Sequence, residues 1–155
     1  MSEQELKIVV FRLKDEEYGV NVLNVLSIER VSPITRVPKT PSFVKGVMNL
    51  RGAVTPVIDL RSRFGMEEKD ADDDTRIIIV NTEGMDVGLI VDAANDVLDL
   101  SLSDIEPTPE VAGGINARYL DGVANMDGRL FILLRLHKVL DKDEIMELQG
   151  AADES

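Results

Sequence analysis

Apolar positions in this chain come in short runs separated by polar turns, the rhythm of β-strands more than of helices. Residues 7–13 are β-branched and apolar, which predicts a buried strand. Asp15-Glu-Glu17 is a polar turn, and residues 18–22 alternate back into a second strand. Val22, Val25, Leu26 and Ile28 mix helical with extended spacing, so a short helical turn leading into a strand is expected. Pro33, Pro38 and Pro41 break any helix and mark a loop. A hairpin follows, with 43–48 outward, Asn49-Leu-Arg-Gly52 as the turn and 53–59 returning. Pro56 within it points to an edge or a bulge. Residues 61–69 read as a short helix, and the polar run 70–74 as a linker.

The second half repeats this order: strands over 76–81 and 86–91, an irregular apolar stretch over 93–102, a proline loop over 106–110, then 119–124, a turn at 125–128 and a strand over 129–135. Gly46-Val-Met-Asn-Leu-Arg-Gly52 lies over Gly122-Val-Ala-Asn-Met-Asp-Gly128, 76 positions on. Val54, Val57, Ile58 and Leu60 continue in step with Leu130, Leu133, Leu134 and Leu136. Earlier in each half, Ile8-Val9-Val10-Phe11 aligns with Ile77-Ile78-Ile79-Val80 at an offset of 69, as do Gly19 with Gly88 and Val22 with Val91. Two blocks in the same order with similar offsets indicate a duplicated unit. Two similar units imply a cleft between them and two similar outer ends, which suits a coupling device better than a catalyst.

Each unit is too small for comfortable independent stability without disulfides or metal, so the two are expected to lean on each other. The expected fold is all-β: two five-stranded β-barrels side by side, the first over 6–68, a linker over 69–75, and the second over 76–136. Asp141 with Glu144 has the chemistry of a helix start, and Gly150 stops that helix, placing it at 141–149. Residues 151–155 are expected to be a disordered tail.

Charge narrows the partners. A net charge of −12 repels nucleic acid and anionic membrane surfaces at long range. No apolar run approaches a membrane span of about 20 residues, and the first residues lack a signal peptide's basic start and apolar run. There are no cysteines. That removes thiolate metal sites, thiol nucleophiles and disulfides together, and it fits a reducing, intracellular setting. His137 is the single histidine, and it is expected on the surface, since a zinc site of the usual composition needs more. The acidic run 70–74 lacks the glycine and glutamate of a calcium loop, those places holding Thr75 and Asn81. No catalytic residue, metal or cofactor is therefore expected.

Arg51 stands out. The hairpin turn needs its Asn and Gly for φ > 0 and both copies keep them, whereas the place of Arg51 is taken by Asp127 in the second copy. A charge that reverses between equivalent turns was selected either for something other than folding or merely for solvation. The aliphatic set Val9, Val22, Val25, Ile28 and Val97 has two readings as well: core filling, or the lining of a groove where an amphipathic helix docks.

Glu17-Tyr18-Gly19, the stretch from Phe43-Val-Lys-Gly46 through Asn49-Leu-Arg-Gly52 to Pro56-Val-Ile-Asp-Leu60, and Val87-Gly-Leu-Ile-Val-Asp92 resemble bacterial chemotaxis coupling proteins of the CheW family. The likeness runs from about Leu6 to Leu148, a single domain within 6–150. It implies two SH3-like five-stranded barrels and a non-catalytic, cytoplasmic adaptor. Such adaptors join the tip of methyl-accepting chemoreceptors to the histidine kinase CheA within receptor arrays. By position it assigns Val9, Val22, Val25, Ile28 and Val97 to the receptor groove. It assigns Arg36, Val37, Phe43, Val44 and Arg51 to kinase binding and coupling, and Glu106, Glu110 and Val111 to a second ring interface. At Glu106 and Val111 some relatives carry a basic residue and an aromatic, so this end can be built differently. A small-molecule sensor with its ligand between the barrels is the competing reading. An enzyme would have to work from Asp, Glu, Arg and Tyr alone.

Overall fold

The computed structural model describes residues 5–41, 43–106, 111–112, 115–116 and 119–140. The helix expected at 141–149, the tail at 151–155 and Glu110 lie outside the described residues. The first half contributes β1 (Glu5–Leu13), β2 (Glu16–Asn21), a 3-10 turn (Val22–Asn24), β3 (Val25–Arg30), β4 (Val44–Leu50), β5 (Ala53–Asp59) and a one-turn helix α1 (Leu60–Arg63). The second contributes β6 (Arg76–Thr82), β7 (Met85–Val91), β8 (Ala93–Ser101), a 3-10 turn (Leu102–Asp104), β9 (Ile105–Glu106), β10 (Val111–Ala112), β11 (Ile115–Asn116), β12 (Leu120–Met126), β13 (Arg129–Leu134) and α2 (Leu136–Val139). No described helix is long and apolar enough to cross a membrane.

Two main sheets form, in the orders β8-β1-β2-β13-β12-β9 and β3-β6-β7-β5-β4. These orders correct the division of the chain at 69–75. Hairpin β1–β2 belongs to the sheet built from the second half, and hairpin β6–β7 to the sheet built from the first. The trade is reciprocal. β2 meets β13 in parallel at Leu133↔Gly19, and β7 meets β5 in parallel at Val57↔Gly88. Those contacts pair residues that the offsets of 76 and 69 make equivalent. The boundaries 6–68 and 76–136 failed because local pattern reveals which segments are strands but not which sheet each strand joins.

The apolar runs now have a cause. β1 and β6 each have a neighbour on both sides and are buried on both faces, so their runs are continuous instead of alternating. Successive side chains point to opposite faces. Ile8 and Val10 pack with Leu100, Phe131 and Leu133 inside their own sheet, while Ile77 and Ile79 pack with Met48 and Val57 inside the other. Val9, Phe11 and Leu13 face the other way and meet Ile78 and Val80 in a core shared by both sheets. That core fills the interior between the sheets and makes each unit depend on the other.

The duplicated glycines are explained by close approach. Gly46 (φ 142°) lies at the bulge of β4, and its missing Cβ would stand 2.0 Å from the Thr35 carbonyl oxygen. Gly122 (φ 156°) holds the same place in β12, with the Glu106 carbonyl oxygen 2.8 Å from a Cβ. A side chain at either would push away the backbone that covers it, the Thr35 segment over Gly46 and β9 over Gly122.

Two local expectations change. α1 ends at Arg63 instead of running to 69, because Gly65 takes φ 78° just beyond it. Met66 N–H donates to Arg61 O and Gly65 N–H to Ser62 O, a Schellman stop. At the hairpin tips the residues with positive φ are Arg51 (53°) and Gly52 (85°), and Asp127 (55°) and Gly128 (86°). Asn49 and Asn125 act through their side chains, whose Oδ1 atoms accept from Gly52 N at 2.9 Å and Gly128 N at 3.1 Å.

Candidate functional site

The five aliphatics separate by burial. β3 and β8 are equivalent edge strands, one at the end of each sheet. Ile28 pairs with Ile78, and Val97 pairs with Val9. Ile28 and Val97 stand 69 positions apart, the offset of the repeat. Cross-strand partners share a face, so both point to the side of the shared core, yet they remain 44 % and 55 % exposed. Val22, Val25 and Ala94 are half-buried and pack down on that core. Val9 is 2 % exposed, so the structure makes it a core residue with no surface to offer, because β1 is covered on both sides. Leu23 and Leu26 stand exposed beside this surface. Sequence reasoning missed them, although both are large apolar residues within the stretch whose spacing fitted neither helix nor strand.

The tip of the β4–β5 hairpin carries Arg51, exposed and left-handed. A left-handed conformation costs a residue with a Cβ about 1–2 kcal/mol, and Asp or Asn tolerates it best. Asp127 fits its turn more readily than Arg51 does. Lys14, Lys39 and Glu83 accept the same conformation elsewhere in the fold.

At the first outer end, Arg36 and Lys39 are exposed on the proline loop, Val37 is buried beneath it, and Val44 is half-buried where β4 begins. These line a cavity of about 330 Å³ with Lys45 and Glu68, which pair with each other. Phe43 has a different place. It packs against the shared core with the Arg63 guanidinium 4.3 Å above its ring centroid. The same guanidinium lies 5.3 Å from the ring of Tyr119, the residue equivalent to Phe43. No motif marked Arg63. Its role depends on two rings that are distant in sequence.

At the second outer end, Glu106 is exposed in β9, where it pairs with Val123 of β12. Val111 opens the small β10–β11 hairpin, which forms a separate two-stranded sheet. The two ends carry reversed charges. Lys45 approaches Asp59 at 3.9 Å in the first unit, and at the equivalent positions Asp121 accepts from Arg135 Nε at 2.9 Å. Burial raises the Asp59 pKa above the usual aspartate value, against the pull of the Arg61 backbone N–H and the Lys45 charge. Arg51 and Asp127 repeat the reversal of sign at the hairpin tips.

One further ion pair was not legible in the sequence. Arg61 of α1 grips Asp92, the residue between β7 and β8, through Nε–Oδ1 at 2.8 Å and Nη2–Oδ2 at 2.5 Å. The Lys14 backbone N–H adds a third bond at 2.9 Å. Burial alone would raise the Asp92 pKa, but the hydrogen bonds from Arg61 and Lys14 overcome it and hold it below the ordinary value.

The chain as a whole is similar to known proteins. The CheW-like domain family matches residues 7–144. The chemotaxis protein CheW of Bacillus subtilis (strain 168) is 41% identical over 137 residues, covering 88% of this chain and 88% of that one. The chemotaxis protein CheW of Klebsiella aerogenes is 37% identical over 146 residues, covering 94% and 88%. The crystal structure of the scaffolding protein TtCheW from Thermoanaerobacter tengcongensis superposes with a TM-score of 0.84 at 39% identity, covering 91% of this chain and 96% of that one. The family match takes in both copies of the repeat, both edge strands and the Arg51 hairpin, and this chain belongs to the CheW family of chemotaxis scaffold proteins.

Proposed function

We propose that this chain is a non-catalytic adaptor that couples methyl-accepting chemoreceptors to the histidine kinase CheA, in the cytoplasm, at arrays on the inner face of the cell membrane. The observation that carries the reading is the pair of equivalent edges β3 and β8, which keep Ile28 and Val97 exposed beside the shared core. An edge pair related by an internal two-fold suits a helical hairpin, whose antiparallel arms have a similar symmetry. Apolar side chains at i, i+3, i+4 and i+7 of its helices would pack on Val22, Val25, Ile28 and Val97. Arg36, Val37 and Val44 form a kinase-facing surface at the proline loop, with Phe43 packed on the core next to it, and Arg51 makes a separate coupling contact at the far end of β4. Glu106, Glu110 and Val111 belong to the second ring contact. The test is co-sedimentation of the purified protein with receptor-containing membranes, with and without CheA, together with kinase activity. Capture of the protein by receptor membranes and a gain in CheA activity is expected. Failure to sediment in both settings overturns the reading.

A further inference from the structure

We propose that the N-terminal hairpin β1–β2 can leave its own chain and complete a second copy of it, giving a closed dimer by hairpin exchange. Within one molecule this hairpin is already a guest. Its ladder partners β8 and β13 both come from the second half of the chain. Among the described residues, the three-residue 3-10 turn Val22–Asn24 connects it to the other strands. That turn is held locally by Asn21 Oδ1 accepting from Leu23 N–H at 2.9 Å and by Asn24 Nδ2 donating to Asn81 O at 3.1 Å. Straightening it sends the hairpin to a neighbour. The reciprocal hairpin β6–β7 is less free. It is continuous with the chain at both ends, through the 64–75 segment on one side and through Asp92, held by Arg61, on the other.

Exchange would lose nothing that the second copy does not restore. Val9, Phe11, Leu13 and Tyr18 would enter an identical core, the β1–β8 and β2–β13 ladders would re-form between chains, and the two-fold contact is closed. The barrier is high, since these side chains are 0–2 % exposed and must be withdrawn together. Exchange therefore occurs during folding from concentrated chains and persists after dilution, instead of equilibrating from the native monomer. Short hinges favour such exchange, and longer ones restore self-closure.

The chain has no cysteine, which makes a direct test clean. Val9 lies opposite Val97 across β1 and β8. Two single variants, Val9→Cys and Val97→Cys, are mixed unfolded, refolded together at high and at low concentration, and oxidised. A disulfide-linked heterodimer, at least several-fold enriched at high concentration, is expected. The double variant in one chain serves as the geometric control and should close its bond inside a monomer. A dimer that never cross-links while the control closes internally overturns the proposal, as does the absence of any dimer. Should the cysteine variants fold poorly, the parent chain is compared with one carrying three residues inserted after Asn24. The dimer fraction on refolding should fall several-fold, and an unchanged fraction overturns the proposal.

Discussion

Arg63 donates its Nε to the backbone carbonyl of Val139 at 3.0 Å, and the two residues hold the same place in the two copies, 76 positions apart. A residue that touches its own equivalent lies on the internal two-fold. The Arg63 guanidinium also lies over Phe43 and Tyr119, another equivalent pair, and Phe64 next to it stacks on Tyr18 and meets Tyr119 at a tilt. One arginine therefore ties both units together where α1 and α2 meet. Arg63→Met keeps most of the apolar stem but loses the cation–π contacts and the charged hydrogen bond, together about 2 kcal/mol. The urea midpoint should fall with the slope unchanged. In a double-mutant cycle with Tyr119→Leu, coupling beyond about 0.5 kcal/mol is expected. Strict additivity would remove the ring contact from the account.

The aliphatic set separates core from surface, and the separation can be measured. Val97→Glu and Ile28→Glu change exposed edge positions, so each should shift stability by no more than about 0.5–1 kcal/mol. Each puts an ionised group against a dehydrated helix face, and receptor capture should drop at least tenfold. Val9→Glu instead buries an unpaired carboxylate in the shared core and should leave little folded protein. Full receptor capture by both edge variants would show that the helix binds elsewhere.

Strands, turns and the duplication were legible in the sequence because they are local or periodic: the apolar runs at residues 8–11 and 77–80, the glycines at 46 and 122, the tips at 51 and 127. The sheet to which each hairpin belongs was not. Ile8-Val9-Val10-Phe11 has the same composition whichever strands flank it, so the reciprocal exchange left no mark on the pattern. The pattern leaves Val9 open to a core or a groove reading, and it is the family resemblance that assigns it to the groove. Its alternation is plain, but a strand buried on both faces gives alternation no solvent side. Arg63 and the Arg61–Asp92 pair were invisible because their partners are distant in sequence and meet them only in the folded chain. The end of α1 was written at Gly65 and was read past.

Asp92 predicts an acid dependence. Its pKa is depressed in the fold, so the stability it contributes is present above the unfolded value of 3.8 and is lost as pH falls through the lower folded value. Glu17 works in the same direction, its pKa lowered chiefly by its hydrogen bonds to Arg129. Asp59 works in the opposite direction, since burial raises its pKa and protonation favours the folded state. Asp92→Asn should cost about 1.5–3 kcal/mol at neutral pH, the worth of hydrogen bonds to a charged group. It should also flatten the fall of melting temperature below about pH 4, the ordinary aspartate range. A variant that melts on a curve parallel to the parent's through that range would show that Asp92 does not carry the acid limb.

Arg51 gives the sharpest separation of folding from function. Its equivalent, Asp127, supports the same left-handed turn before Gly128, and Asn49 Oδ1 still caps Gly52 whatever the residue between them. Asp and Asn accept φ > 0 more readily than Arg, so Arg51→Asn should raise stability by a few tenths to about 1 kcal/mol. The same change removes the guanidinium from the exposed hairpin tip, where charge-assisted hydrogen bonds to a partner are worth about 1.5–3 kcal/mol. A reconstituted receptor–adaptor–kinase assay should therefore show Arg51→Asn melting at or above the parent while CheA activation falls about tenfold or more. Normal activation would remove Arg51 from the coupling surface. A drop in melting temperature would mean that the guanidinium has a structural partner at the tip, and the strain argument would fail with it.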